Sequence, residues 1–154
     1  MKDRKQRLLL KQVSNHLNWF SQARMQQNPR EGWVKTIRNA LNMTLSQLAK
    51  RIKVTAPTLK NFEKREELGT ITIKSLRDIA DALDMQLVYA IIPKEGTLEE
   101  FVDKRAEEKA RDIVNRTDMT MSLEDQQNPK ERLLAAYHEK ASELKNEIPK
   151  FLWD

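Results

Sequence analysis

Hydroxyl, amide and basic side chains are concentrated in one stretch of the sequence, TLSQLAKRIKVTAPTLKNFEK, at residues 44–64. Once the apolar positions of its second half are assigned to a buried face, the remaining positions project outward from a helix. A helix that lies in the major groove of DNA contacts bases through the residues of its first turns. The residues predicted to contact bases are Ala56, Pro57, Thr58, Lys60 and Asn61.

These side chains offer different chemistry to a base pair. Asn61 can pair bidentately with adenine, Lys60 can reach the acceptors of guanine or a phosphate, and Thr58 can hydrogen-bond several bases. Ala56 and Pro57 offer only apolar contact, which favours thymine methyl groups. Flanking basic and hydroxyl side chains contact phosphates. The residues predicted to do so are Thr44, Ser46, Gln47, Lys50, Arg51, Thr55, Lys64 and Arg65.

Two short helices joined by a tight turn must position these side chains. Thr44 followed by Gln47 is the pattern of a capping box at a helix start. Thr55 can cap the second helix, and Pro57 is tolerated in its first turn, where the backbone N–H has no intrahelical partner. The positions predicted to face inward are Leu45, Leu48, Ala49, Ile52, Val54, Leu59 and Phe62. An ordinary helix hairpin with solvated polar faces has the same spacing, so spacing alone leaves both interpretations open.

The charge of the chain is unevenly distributed. Residues 1–60 contain 13 Lys and Arg against 2 Asp and Glu, a net charge of +11, whereas residues 61–154 contain 15 against 21, a net charge of −6. A basic half of this kind indicates an anionic partner, either nucleic acid or a membrane surface. The basic start at residues 2–11 is open to three interpretations: a DNA-contacting arm, a dimer element or an interfacial membrane anchor.

Several function classes lack the residues that they need. The chain has no Cys, and its two histidines, His16 and His138, are far apart with no acidic cluster at ligand spacing, which argues against a metal site. Three glycines cannot form a glycine-rich phosphate loop. No Ser/His/Asp set stands out, so we expect neither an enzyme nor a cofactor. No apolar run is long enough for a membrane span, and a cytoplasmic protein is predicted.

One segment outside the helical patterns predicts a strand. MQLVYAIIP, at residues 85–93, is rich in β-branched and aromatic residues and ends at a proline. A single strand has unpaired edges and is not stable alone, so we expect it to pair with its own copy in a second subunit. The residues predicted to form this dimer contact are Leu87, Val88, Tyr89, Ala90 and Ile91.

The stretch at residues 44–64 resembles the helix-turn-helix of the phage-repressor-like (Xre/Cro) regulators. The residues that carry the resemblance are Leu48, Ala49, Val54, Thr55, Leu59, Phe62 and Glu63. It extends from about Trp33 to Leu87 and implies a five-helix domain that binds DNA. Lys53 departs from the pattern, because the family usually has Gly in the turn.

A narrower resemblance rests on the GW pair at residues 32–33, on EELGTITIKSLRDIADALDMQLVYAIIPK and on TMSLEDQ. These segments look like the family called mobile mystery protein A, whose members are typically encoded beside a Fic-domain protein in an arrangement like a toxin–antitoxin pair. The resemblance implies an autorepressor, with an antitoxin role as the alternative. The Ser/Thr-x-x-x-Glu-Gly/Asn motif of Fic-inhibiting relatives is not found in this sequence.

The remaining periodicity completes a mainly α prediction. Further helices are predicted at residues 3–27, 33–42, 73–84, from Thr97 and from Pro129, with a loop at 117–128. The predicted fold class is an α-helical Xre/Cro-like domain with one short strand and added helices. The predicted domains are an N-terminal basic helix at 1–28, a helix-turn-helix domain at 29–94 and a C-terminal helical extension at 95–154. The predicted partners are double-stranded DNA with a pseudo-palindromic operator, a second copy of the chain and, in the alternative, a Fic-domain toxin masked by the acidic C-terminal helices.

Overall fold

The computed structural model describes residues 2–123 and 129–154. Within them the chain forms seven α-helices and two short 3-10 helices, which confirms the predicted mainly α class. The α-helices are α1 (Lys2–Asn18), α2 (Trp33–Ala40), α3 (Leu45–Ile52), α4 (Ala56–Glu67), α5 (Ile73–Ala82), α6 (Leu98–Leu123) and α7 (Lys130–Glu147), and the 3-10 helices are Ser21–Met25 and Lys150–Trp153. In this part of the chain, no helix combines the length and apolar character needed to cross a bilayer.

The chain divides into two compact units. The central unit is Met25–Tyr89, and the terminal unit contains the chain up to Arg24 and from Ala90 onward. The terminal unit therefore combines the N-terminal helix with the two C-terminal helices. The domains predicted from the sequence, at residues 1–28, 29–94 and 95–154, stay a prediction.

The central unit is built from α2 to α5 around one apolar core. Three of its helices begin at a threonine whose hydroxyl accepts a hydrogen bond from the backbone N–H three residues on, which satisfies a donor that the helix start leaves open. These threonines are Thr44, Thr55 and Thr72. The core side chains are Val34, Leu48, Ala49, Leu59, Ile79 and Leu83.

The terminal unit packs α1, α6 and α7 around a second core. Ala106 and Ala110, one turn apart on α6, are fully buried, and their small size allows close helix packing. The other buried core residues are Leu10, Val102, Ala141, Leu144 and Leu152. The Lys145 Nζ donates to Glu107 Oε1 at 2.5 Å between α7 and α6, and this hydrogen bond raises the pKa of Lys145 above its ordinary value against an opposing effect of burial.

The C-terminal aromatic residues pack onto their own unit. The rings of Phe101 and Trp153 stack with centroids 6.0 Å apart and planes 12° from parallel. The guanidinium of Arg105 donates to the carbonyls of Leu152 and Asp154, which anchors the end of the chain to α6.

The predicted strand is wrong for the described chain. Residues 85–97 have no regular secondary structure, and no strand forms anywhere in residues 2–123 or 129–154. A strand is defined by hydrogen bonds to a neighbouring strand, and every other element described in this chain is helical. This correction concerns one chain, so pairing of the segment with a second copy stays a prediction.

Three helix predictions also need correction. The central unit has four α-helices where the resemblance implies five, because the segment after α5 stays irregular. The first helix ends at Asn18, not at residue 27: the Ser21 hydroxyl donates to the Asn18 carbonyl at 2.7 Å, and a 3-10 turn follows. The loop predicted at 117–128 is helical as far as Leu123, and the hydroxyls of Thr117 and Thr120 donate to carbonyls four residues earlier, which satisfies them within the helix. Residues 124–128 of that loop lie outside the described part.

Candidate nucleic-acid interface

A tight turn between α3 and α4 fixes the angle between the two helices. Lys53 ends α3 in the left-handed conformation, with φ 62° and ψ 41°. The Val54 N–H donates back to the Ala49 carbonyl at 2.9 Å, which closes the turn. Ala49 is 2% exposed, and its methyl group is small enough to let the helices cross closely. Lys53, at the position where the family usually has Gly, therefore adopts this conformation with a strained backbone.

The two faces of α4 differ sharply in their environment. Leu59 is fully buried and Glu63, one turn further on, is 6% exposed, so this face lies against the rest of the central unit. Pro57, Lys60, Asn61 and Lys64 are all exposed on the opposite side. The spacing of these four residues, at steps of three, one and three, places them on one face of the helix.

Two carboxylates on the inner face of α4 hold it against α2. Glu63 accepts from the guanidinium of Arg38 at 2.6 and 3.2 Å, and Arg38 also donates to the Met43 carbonyl. Both side chains of this ion pair are largely buried, so removing one partner would leave a buried charge without compensation. The pair fixes both the position of α4 and its rotation about its own axis.

Glu66 makes the second attachment of α4 to α2. Its two carboxylate oxygens accept from the backbone N–H groups of Trp33 and Val34, at 2.8 and 2.9 Å. These donors begin α2, where a negative side chain is stabilised by the helix dipole. Gly32 leaves room for the carboxylate, because a Cβ at this position would lie 2.7 Å from it.

The residues predicted to contact bases have different exposures. Lys60 and Asn61 are exposed and, within the described residues, their side chains have no hydrogen bond or ion pair. Pro57 is exposed in the first turn of the helix. Thr58 is half-buried and shares a 2.7 Å hydrogen bond with the Thr55 hydroxyl. Ala56 is half-buried against the central core, which leaves it less surface for a base than the sequence predicts.

The residues predicted to contact phosphates fall into two groups. Ser46, Lys50 and Lys64 are exposed and have no side-chain partner in the described part of the chain. The others already serve the fold: Thr44 and Gln47 form the capping box of α3, Thr55 caps α4, Arg51 donates to the Ala82 carbonyl, and Arg65 donates to the Thr70 carbonyl. The hydroxyls of Thr44 and Thr55 both accept the capping bond; the Thr44 hydroxyl keeps a proton to donate, whereas the Thr55 hydroxyl also shares a hydrogen bond with the Thr58 hydroxyl.

Two of the residues that orient α4, Arg38 and Glu66, were not predicted from the sequence. Arg38 is buried on α2, together with Val34. Glu66 caps the start of the same helix, which begins 33 residues earlier in the sequence. A signal was present in the sequence. Glu63 and Glu66 share the side of α4 that carries Leu59, and acidic residues on an apolar face require buried positive or N–H partners.

The predicted dimerisation segment is exposed and its backbone is unpaired. Val88 and Tyr89 are each 62% exposed and Ile91 is 88% exposed; Ala90 is exposed and Leu87 half-buried. Within the described residues, no backbone N–H from Gln86 to Glu95 donates a hydrogen bond.

Comparison with known proteins identifies a family for the central unit. The model of the Xre/Cro-type helix-turn-helix family matches residues 34–89, from the first turn of α2 to the end of the central unit. No curated protein and no solved structure matches the chain. The chain therefore contains a helix-turn-helix domain, and a domain of this type suggests DNA as a partner. The narrower resemblance to mobile mystery protein A receives no support from these comparisons.

Proposed function

We propose that the helix-turn-helix domain at residues 34–89 makes this chain a sequence-specific DNA-binding regulator of transcription. In this role α4 enters the major groove of a duplex, and the chain represses its own promoter. The proposal treats α4 as the reading helix and α3 as the helix that crosses the sugar-phosphate backbone.

One observation carries the proposal. The outward face of α4 presents Lys60, Asn61 and Lys64, whose side chains have no partner among residues 2–123 and 129–154, while the inner face is fixed by the Arg38–Glu63 pair. A side chain that reads a base needs a free donor or acceptor on a helix that does not rotate. Exposed polar residues are common on any helix; on α4 they stand opposite two carboxylates, Glu63 and Glu66, that attach the helix to α2. Asn61 and Lys60 are then the base readers, and Lys50, Ser46 and Lys64 are the phosphate contacts.

The regulator acts as a homodimer in this proposal. The support is the segment Gln86–Ile92, in which Val88, Tyr89 and Ile91 are exposed and whose N–H groups have no partner within the described residues. Unpaired backbone of this kind is a template for a second strand, and a second copy of the same segment supplies one by two-fold symmetry. A two-fold dimer reads two half-sites related by pseudo-palindromy, with centres about 34 Å apart.

The experiment that tests the proposed function is selection of bound sequences from a random pool of duplex DNA. The full chain should recover a defined motif with two inverted half-sites about one helical turn apart. A motif with one half-site would support DNA reading but contradict the dimer. Recovery of no enriched sequence at low salt would contradict the function itself.

A second candidate function is that of a protein-binding antitoxin. The observation that favours it lies in the terminal unit, where a groove of about 750 Å³ is lined by half-exposed apolar side chains that include Leu9, Val13, Phe101 and Trp153. Exposed apolar surface of this kind is typical of protein-binding sites. A Fic-domain toxin encoded nearby is the partner that the sequence resemblance implies.

A titration with the purified toxin distinguishes the antitoxin candidate from the DNA-binding regulator. Phe101→Ser should weaken binding of the purified toxin by at least tenfold and leave the affinity for DNA unchanged. The exposed Leu134→Ser change, on α7 and outside that groove, is the matched control. Equal toxin binding by both variants would contradict the antitoxin candidate.

A further inference from the structure

The terminal unit carries a row of unpaired donors on α1. Arg4, Lys11, Asn15 and Asn18 are all exposed, and none has a side-chain hydrogen bond or ion pair within the described residues. Their spacing, at steps of seven, four and three, keeps them on one side of the helix. The row extends over about 21 Å at 1.5 Å per residue, which is long enough to reach several phosphates of one DNA strand.

Not every basic residue of α1 is available in this way. Arg7 donates to Asp103 at 3.0 Å and to the Lys145 carbonyl at 3.2 Å, so it fixes α1 to α6 and α7. Leu10 and Ser14 on the same side are buried in the terminal unit. The row lies along the edge of this contact face, because Lys11 is one turn from Arg7 and Asn18 is one turn from Ser14, and its own side chains remain exposed. None of the row's own residues is acidic.

We propose that this row, Arg4 with Lys11, Asn15 and Asn18, is a second phosphate-binding surface that holds the terminal unit on the same DNA molecule as α4. The inference rests on the proposed function and extends it to a part of the chain outside the helix-turn-helix domain. The two units are joined covalently at two points, between residues 24 and 25 and between 89 and 90. Once α4 is bound, the effective concentration of DNA at α1 is therefore high, and weak phosphate contacts add to the affinity.

An anionic membrane is the other surface that a basic helix can bind. Interfacial helices insert apolar side chains on the side opposite to their cations. On α1, Leu9 and Val13 line the apolar groove of the terminal unit together with Phe101 and Trp153. Leu9 and Val13 are 52% and 40% exposed, so the unit itself covers about half of their surface. This leaves less apolar area for insertion than a free interfacial helix has, which favours DNA phosphates as the ligand.

The test uses the salt dependence of DNA binding by the full chain. Each neutralised phosphate contributes about −0.9 to the slope of log K against log salt concentration. The double variant Arg4→Gln/Lys11→Gln should reduce the magnitude of the slope by about 1.8 and should weaken binding to selected and random duplexes by the same factor. Glutamine is a good helix former, so the helix is retained and circular dichroism checks it.

The matched control removes two charges elsewhere in the same unit. Arg116 on α6 and Lys130 on α7 are exposed and have no side-chain partner in the described residues, and Arg116→Gln/Lys130→Gln lowers the net charge equally. A slope that changes equally in both double variants would overturn the inference while leaving the proposed function intact. Loss of binding to vesicles of anionic phospholipid in the α1 variant, with an unchanged DNA slope, would also overturn it. No DNA binding by the unchanged chain would instead refute the proposed function.

Discussion

Arg38 is the residue on which the orientation of α4 most depends. Arg38→Ala leaves Glu63 buried and unpaired, and we expect the free energy of unfolding to fall by about 3–5 kcal/mol in a urea titration. Lys35→Ala on the same helix is the control, since it removes only a solvent-exposed pair with Glu31 and should change the free energy of unfolding far less.

A double variant tests the physical reason for that loss. Arg38→Met/Glu63→Leu replaces both charges with apolar side chains of similar size and should recover most of the lost stability. If the double variant is less stable than Arg38→Ala, then the uncompensated buried charge is not the cause of the loss.

Asn61 is the residue most directly placed to read a base. Asn61→Ala should cost about 1–3 kcal/mol at one base pair of the selected site and little on a random duplex, because only a base contact carries sequence information. Lys50→Ala, which removes an exposed cation at the end of α3, should weaken both duplexes by the same factor. Fluorescence anisotropy titrations of the two labelled duplexes measure both effects. Equal loss on the two duplexes for Asn61→Ala would assign that residue to the phosphate contacts.

At the scale of the elements, the turn between α3 and α4 stores strain at Lys53. A residue with a Cβ in the left-handed region is less stable there than glycine, so Lys53→Gly should raise the free energy of unfolding by about 1 kcal/mol. Lys53→Ala is the control, because it removes the same charge but keeps the strained backbone. Thermal unfolding of the three proteins measures the difference. A Gly variant no more stable than the Ala variant would show that the turn is not strained.

The capped helices were the most predictable elements. Thr44 with Gln47, Thr55 and Thr97 with Glu100 satisfy their own backbone donors within three residues, so the sequence contains the whole interaction. The contacts that attach α4 join residues far apart in the sequence: Arg38 and Glu63 are separated by 25 residues, and Trp33 and Glu66 by 33. The pattern of neighbouring residues does not indicate which distant residues meet. The segment at 85–93 has strand composition, but the described residues offer it no neighbouring strand to pair with, and composition alone does not make a strand.

At the scale of the whole molecule, the oligomeric state follows from the same unpaired segment. Analytical ultracentrifugation of the full chain should give twice the mass of one chain, with a dissociation that depends on concentration. Val88→Pro removes a backbone donor from the middle of the segment and should give a monomer that binds one half-site but loses affinity for the two-half-site duplex. Glu95→Pro, beyond the predicted strand, is the control. A wild-type monomer at all concentrations would contradict the dimer.

The central claim is that the exposed face of α4 recognises DNA sequence. The most direct measurement is the affinity of the full chain for the selected duplex and for a scrambled duplex of equal composition, at salt concentrations from about 50 to about 200 mM. We predict that the selected duplex binds at least about 10³-fold more tightly, and that the logarithm of each binding constant falls linearly with the logarithm of the salt concentration. Equal affinity for the two duplexes at every salt concentration, or no binding to either at the lowest, would contradict the account.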